Sequence, residues 1–403
     1  MVTNESAEQK AQGELEQKLT QLDLALSLSG GGTRAMLFHL GVLRFLAEIN
    51  LFERVRYLST VSGGTLLMGC IFHYNGMHWP SSSQFVNTVA PAIRQALSKT
   101  DLQWSAIKRL LLLWNWRYIA FRANVLGEAI WADWGISSYL KDLPPSPVWA
   151  INTTTMESGR RWRFRATPEG GAVGRQSMGD GKLGYSYDQD FPLASAMATS
   201  AAFPGGISPL VLKTERRSWF LPDFADRSQP EKPITPLFKS YHLADGGIYD
   251  NLGLEPLFDV GKQIIRPETK CNYIIISDAG APLREQRWGF FSQFIGFSMR
   301  TIDIMGSQQR NLRVRTLVSA FTNRTAQGVF VNIAEPGRVA IDRARAKRAD
   351  AVKKLGEQGW LSVEDSLSCA AYKTTLRSPP KTMMELIERH GYETAKIQLQ
   401  LWG

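Results

Sequence analysis

Cysteine is scarce in this 403-residue chain: Cys70, Cys271 and Cys369 are too few and too scattered for a disulfide framework or a cysteine zinc site. A reducing cytoplasm is therefore the simplest compartment to expect. Histidine is also rare, at five residues, so a mechanism that needs an imidazole has few places to find one. Long apolar runs are missing. The longest candidates, Leu66–Phe72 and Leu110–Trp114, fall far short of the roughly 18 apolar residues a spanning helix needs. Any membrane contact is expected to be peripheral, at the inner face. The opening stretch MVTNESAEQKAQGELEQKLTQ lacks the apolar centre of a secretory signal, so the chain is expected to start at Met1.

What is present is an ordinary globular composition, 44% hydrophobic and 21% charged, with enough apolar side chain for a large core. The net charge of +10 favours polyanions. Anionic lipid headgroups and nucleic acid both qualify, but no nucleic-acid recognition module accompanies the charge, which places a nucleic-acid binder last.

Residues 24–29, LALSLS, read as a buried strand running into Gly30-Gly31-Gly32, and Thr33–Asn50 carries a helical pattern. A second unit follows at once: strand Val55–Val61, turn Ser62-Gly63-Gly64, helix Thr65–Tyr74. Two β-turn-α units so close together predict an α/β fold with a largely parallel sheet flanked by helices and functional groups at the strand C-termini. Val148–Asn152, Trp162–Arg165, Tyr273–Ser277 and Val329–Ile333 read as further strands, and 211–240, rich in Pro, Ser and charge, as an irregular excursion.

Acyl transfer needs a hydroxyl on a tight turn, with small neighbours that admit the carbonyl and a following amide that faces the oxyanion. Thr60-Val61-Ser62-Gly63-Gly64 fits this elbow except that Thr60 replaces its first glycine; a helix N-cap serine is the alternative. The amides of Gly30, Gly31 and Gly32 can converge beside a helix N-terminus, where negative charge is favoured, and their spacing fits neither the P-loop nor the dinucleotide fingerprint. Arg34 sits in that helix's first turn, where the dipole disfavours a cation, so packing or an anion contact explains it better than helix stability. Ala244-Asp245-Gly246-Gly247 reads either as an ordinary turn or as the third part of a set.

Together the three stretches resemble the patatin-like phospholipase family. The block from Gly30 to Ala35 resembles its oxyanion loop, Ser62 stands at its nucleophile position, and Asp245-Gly246-Gly247 matches its acid motif, with Gly63, Gly64 and Arg34 in support. Ala194–Gly205, Ile302-Asp303-Ile304 and the basic segment Arg310–Arg315 fit its bacterial members. Ala35 replaces a frequent glycine of the motif. The resemblance implies a three-layer fold, a Ser62-Asp245 dyad without histidine, no metal or cofactor, and hydrolysis of acyl esters of membrane glycerophospholipids. Some bacterial members of that family act as toxins or defence effectors that damage membranes, and the resemblance leaves the same role open for this chain. Rival readings are a thioesterase or transacylase on the same dyad, and a catalytically poor lipid-binding or scaffold protein. An α/β-hydrolase triad would instead need His390, read as a surface residue of a helix Thr382–Tyr392; His242, three residues before Asp245, reads as a packing residue or as a neighbour of the dyad.

The expected layout is a polar segment 1–21, a catalytic domain 22–335 with a Trp-rich helical insertion at about 76–147, and a mainly helical C-terminal extension 336–403. Residues 104–134 hold five of the twelve tryptophans. Plotted as one helix, Ile107, Leu110, Leu111, Trp114, Tyr118 and Phe121 form one stripe, while Leu112, Leu113, Trp116 and Ile119 fall on the other side beside Arg109. The second face suits an anionic membrane interface, an oligomer partner, or a lid that buries it; the sequence leaves a homo-oligomer open. Basic residues in 338–355 read as a solvated helix face or a weak lipid dock.

Overall fold

The computed structural model describes residues 21–111, 122–166, 176–203, 209–223, 231–283, 296–355 and 359–403, with the single positions 13, 16, 17, 19, 207, 285 and 289. Its centre is five parallel strands, β1 (Leu24–Leu28), β2 (Val55–Thr60), β3 (Val148–Thr155), β13 (Tyr273–Asp278) and β14 (Gly328–Asn332), in the spatial order β14-β13-β1-β2-β3. β11 (Phe258–Asp259) and β12 (Ile264–Ile265) form a separate two-stranded sheet. Beyond β3 the sheet turns antiparallel through β4 (Arg161–Ala166), β5 (Ser177–Asp180), β6 (Gly184–Ser186), β8 (Trp219–Leu221) and β9 (Lys232–Ile234). β10 (Ser240–Asp245) pairs with β3 and with β7 (Leu210–Lys213). The 211–240 segment is thus partly short strands, not wholly irregular: pieces of three or four residues are too brief to show an alternation in sequence.

The central strands are buried on both faces, as parallel strands under helices must be. Leu24, Leu26 and Leu28 of β1 enter one core with helices α1 (Gly32–Glu48) and α2 (Gly63–Tyr74), while Ala25 joins Leu317 and Ala320 of the long helix Phe297–Thr322 in a second core on the other face. Each fully buried leucine contributes about 1.5–3 kcal/mol of transfer free energy, which sets the strand register firmly.

The C-terminal region completes the first core instead of standing apart. Cys369, Ala370, Met384, Ile387, Ala395 and Leu399 are all part of it, and helix Lys381–Trp402 lies against α1. The two helices touch at glycines. A Cβ on Gly41 would stand 1.9 Å from the Glu388 carbonyl oxygen, and one on Gly391 would stand 2.0 Å from that of Phe38. The insertion is mainly helical where described. Leu102–Leu110 and Arg122–Trp134 pack as two helices, joined by the Arg109–Asp133 ion pair at 2.7 Å, so the single-helix plot does not hold across residue 111. Residues 112–121, with Leu112, Leu113 and Trp116, lie outside the described residues. Among the described residues no helix is long and apolar enough to cross a membrane.

Candidate active site

β2 ends at Thr60 and the chain turns sharply through Ser62 into α2. Ser62 has φ 49° and ψ −117°, a conformation that costs an L residue of order 1–3 kcal/mol and tends to be kept at functional sites. It occupies the N-cap position of α2, and its side chain makes no capping bond there. Gly63 is required by proximity, since a Cβ there would stand 2.3 Å from the Gly32 carbonyl oxygen; Gly64 is held as closely, 2.5 Å from that of Leu28. The elbow and the glycine loop are therefore packed directly together.

A chain of hydrogen bonds holds the elbow from beneath. Trp149 Nε1 donates to Thr60 Oγ1 at 2.9 Å, and Thr60 and Thr65 hydroxyls meet at 2.8 Å. Thr65 and Ser200 hydroxyls meet at 2.9 Å, and Ser200 donates to the Asn152 carbonyl at 2.8 Å. An indole N–H only donates and a carbonyl only accepts, so the proton order along this chain is determined. Ser200 Oγ also accepts the Ser62 N–H at 3.0 Å. Thr60 thus fills the place of the elbow glycine with a fully buried residue whose hydroxyl is a link in the support. Ser200 lies in the Ala194–Gly205 stretch, but nothing in the sequence marked its role.

β10 delivers the acid. β2 pairs along one edge of β3 as far as Thr60 with Ile151, and β10 runs antiparallel along the rest of that edge, Asp245 opposite Thr153. The C-terminal ends of β2 and β10 therefore meet, about two residues apart on β3, or roughly 7 Å. Asp245 is 2% exposed, and its Oδ1 accepts the Gly247 N–H at 2.6 Å. Burial raises its pKa to about 7, against smaller downward pulls from the Gly247 amide and the Ser62 hydroxyl. The Ser62 hydroxyl is thus near enough to favour the charged carboxylate. Gly246 packs on the Asn152 carbonyl, with 2.5 Å to a Cβ placed there.

The glycine loop divides its amides. The Gly30 N–H donates to the Asn251 carbonyl at 3.2 Å, so Gly30 does not offer its amide to an oxyanion as expected; the bond that anchors the loop consumes it. The amides of Gly31, Gly32 and Gly63 have no protein acceptor among the described residues, and α1 has no side-chain cap. Gly30 instead abuts the nucleophile, with 3.0 Å from a Cβ built on it to Ser62 Cβ. Arg34 is buried and packs inward: its Nε donates to the Ala279 carbonyl at 3.1 Å and Nη1 to that of Tyr372.

No histidine bonds to Ser62. His242 lies on β10 an odd number of residues from Asp245, so it faces the other side of the sheet, where its imidazole meets Glu157. His390 is not a surface residue: it is 1% exposed, its Nε2 donates to the Ile333 carbonyl at 2.8 Å, and burial lowers its pKa. Its helix runs on to Trp402 and covers α1, which the shorter predicted helix missed. The three cysteines are free, and among the described residues no group of His, Cys, Asp and Glu is arranged to hold a metal.

The structure thus brings together a strained serine elbow, a glycine loop and a buried carboxyl of raised pKa. The profile of the patatin-like phospholipase family matches residues 26–258, more than half of the chain, and the protein belongs to that family. No curated protein matches it. Among solved structures it is similar to human GIVD cytosolic phospholipase A2, with 14% identity and a TM-score of 0.41 over 70% of this chain and 50% of that one. The same human enzyme in complex with methyl gamma-linolenyl fluorophosphonate and terbium chloride gives 15% identity and a TM-score of 0.37, covering 72% of this chain and 50% of that one. The chain thus spans about half the length of the solved structures it matches.

Proposed function

We propose that this protein hydrolyses acyl esters of membrane glycerophospholipids with Ser62 as nucleophile and Asp245 as general base. The observation that carries the reading is a buried Asp245 carboxyl, its pKa raised to about 7, facing the hydroxyl of a serine at φ 49°. A base titrating near neutrality is matched to proton transfer at physiological pH. Asp245 takes the Ser62 proton as Oγ attacks the ester carbonyl. The amides of Gly31, Gly32 and Gly63 stabilise the tetrahedral oxyanion. Its collapse breaks the ester bond, the leaving alkoxide takes the proton from Asp245, and an acyl-Ser62 ester remains. Water, deprotonated by Asp245, then cleaves that ester; the fatty acid leaves and the proton returns to Ser62.

The net charge of +10 supports a peripheral encounter with an anionic membrane surface, which would present the substrate. The test is incubation with a fluorophosphonate and location of the adduct by mass spectrometry. Adduct on Ser62, together with fatty-acid release from phospholipid vesicles, is expected; adduct on another residue overturns the assignment. Release of acyl groups to an added alcohol in place of water would favour a transacylase on the same dyad.

A further inference from the structure

We propose that His39 is a positioning residue for the oxyanion loop, acting through the Ser29–Gly30 peptide, and that it works as a neutral imidazole in one tautomer. This rests on the hydrolase reading above. His39 is fully buried on α1, two turns into the helix, and helical side chains lean back toward the N-terminus, which carries its ring to the end of β1. His39 Nε2 lies 3.0 Å from the Ser29 carbonyl oxygen. Burial lowers the His39 pKa to about 4, so the ring is neutral and carries one proton; a carbonyl only accepts, so that proton is on Nε2, and Nδ1 accepts a hydrogen bond from the Ser277 hydroxyl at 2.7 Å.

The rest of the Ser29–Gly30 unit is held on every side. The Ser29 N–H donates to the Ser277 carbonyl at 3.0 Å, the Ala279 N–H donates to Ser29 Oγ at 2.7 Å, and the Gly30 N–H donates to the Asn251 carbonyl at 3.2 Å. Gly31, at φ 145°, and Gly32, at φ 62°, follow at once, and glycines hold no direction of their own. The direction of their amides is therefore inherited from the peptide plane before them, and of its two ends the Ser29 carbonyl is the one that His39 holds. A buried imidazole with both nitrogens occupied is otherwise unneeded here, since an aliphatic residue would fill the same space between α1 and the sheet.

The test compares His39→Leu, which removes both bonds, with His39→Gln, whose amide can donate and accept, and with Ser277→Ala, which removes only the outer link. On a soluble short-chain ester, His39→Leu is expected to lower kcat by tenfold or more with KM within about threefold, the range expected for a weakened oxyanion site. His39→Gln should recover most of that loss and Ser277→Ala should fall between. The inhibition constant of a trifluoromethyl ketone, which forms the tetrahedral adduct on Ser62, should rise in step with the fall in kcat/KM across the series. A His39→Leu protein that keeps kcat within twofold overturns the proposal. So does a series in which rate follows melting temperature and the ketone affinity stays constant. A wild-type protein that neither hydrolyses ester nor forms the Ser62 adduct sinks the hydrolase reading instead, which keeps the two failures apart.

Discussion

Asp245→Asn is expected to do two opposite things, because the burial that suits Asp245 to the proposed role of base also makes it a liability to the fold. The folded carboxyl holds its proton up to about pH 7, whereas in the unfolded chain it is lost near 3.8. Between those values the folded state binds the extra proton, so stability falls as pH rises through that window, and the whole penalty stands above about pH 7. At about 1.4 kcal/mol per pH unit, the gap of roughly 3 units corresponds to about 4 kcal/mol, an upper figure because a buried site relaxes when it ionises. Asparagine keeps the shape and an acceptor for the Gly247 amide without the titration. Urea unfolding of both proteins at pH 4.5 and pH 8.5 reads the effect: the variant should gain on the wild type by a few kcal/mol in going from the lower to the higher pH. Its turnover of a soluble ester should meanwhile drop by a hundredfold or more, while the wild-type kcat/KM should show an acid limb near pH 7. A stability difference that does not change with pH would refute the argument, since the carboxyl would then not be held protonated by burial.

Ser62→Ala should remove ester hydrolysis and the fluorophosphonate adduct with little change in melting temperature, because alanine keeps the Cβ that packs on Gly30; a folded, active variant excludes the mechanism. Asp278 is fully buried at the end of β13 and is paired with Arg310, so Arg310→Leu should cost about 3–5 kcal/mol in chemical denaturation. Adding Asp278→Asn should restore most of it, and no recovery would mean that Arg310 acts through packing. Replacing Leu112, Leu113 and Trp116 with Ser should reduce action on anionic vesicles far more than on a soluble ester; equal loss would assign them to the core. Gly391→Ala should lower stability by about 1–3 kcal/mol through the clash with the Phe38 carbonyl, as overpacking does, and an unchanged melt would show that the helices separate without penalty.

How far the sequence could be read depended on how local each feature is. The two strand-glycine-helix units were legible because apolar run, turn and helix follow one another within 51 residues, from Leu24 to Tyr74. The Asp245-Gly246-Gly247 motif was legible as a motif, but not the strand that carries it. β10 follows short strands without visible alternation, and its partner Thr153 is 92 residues away. The division of labour in the glycine loop was invisible for the same reason: that Gly30 spends its amide on Asn251, 221 positions along, is a tertiary fact. The C-terminal helix was a partial miss with an available signal. Gly41 and Gly391 each interrupt a helical pattern, where glycine is unfavourable unless another backbone comes close, and here they mark one crossing from its two sides.

The region beyond residue 336 also reaches the glycine loop. Thr33, next to the glycine loop, donates both its N–H and its hydroxyl to the Thr375 carbonyl, at 2.9 and 2.8 Å, while Arg34 reaches the carbonyl of Tyr372. A Cβ on Gly32 would stand 2.3 Å from that same Thr375 oxygen. The start of α1 is thus gripped by a segment that the family profile, ending at residue 258, does not include. No side chain caps the N-terminus of α1. The loop before it is tied to the sheet by α1's own His39, which bonds the Ser29 carbonyl and Ser277, and the helix start is held by residues 372–377, so the conformation near residue 30 depends on chain more than 300 positions away.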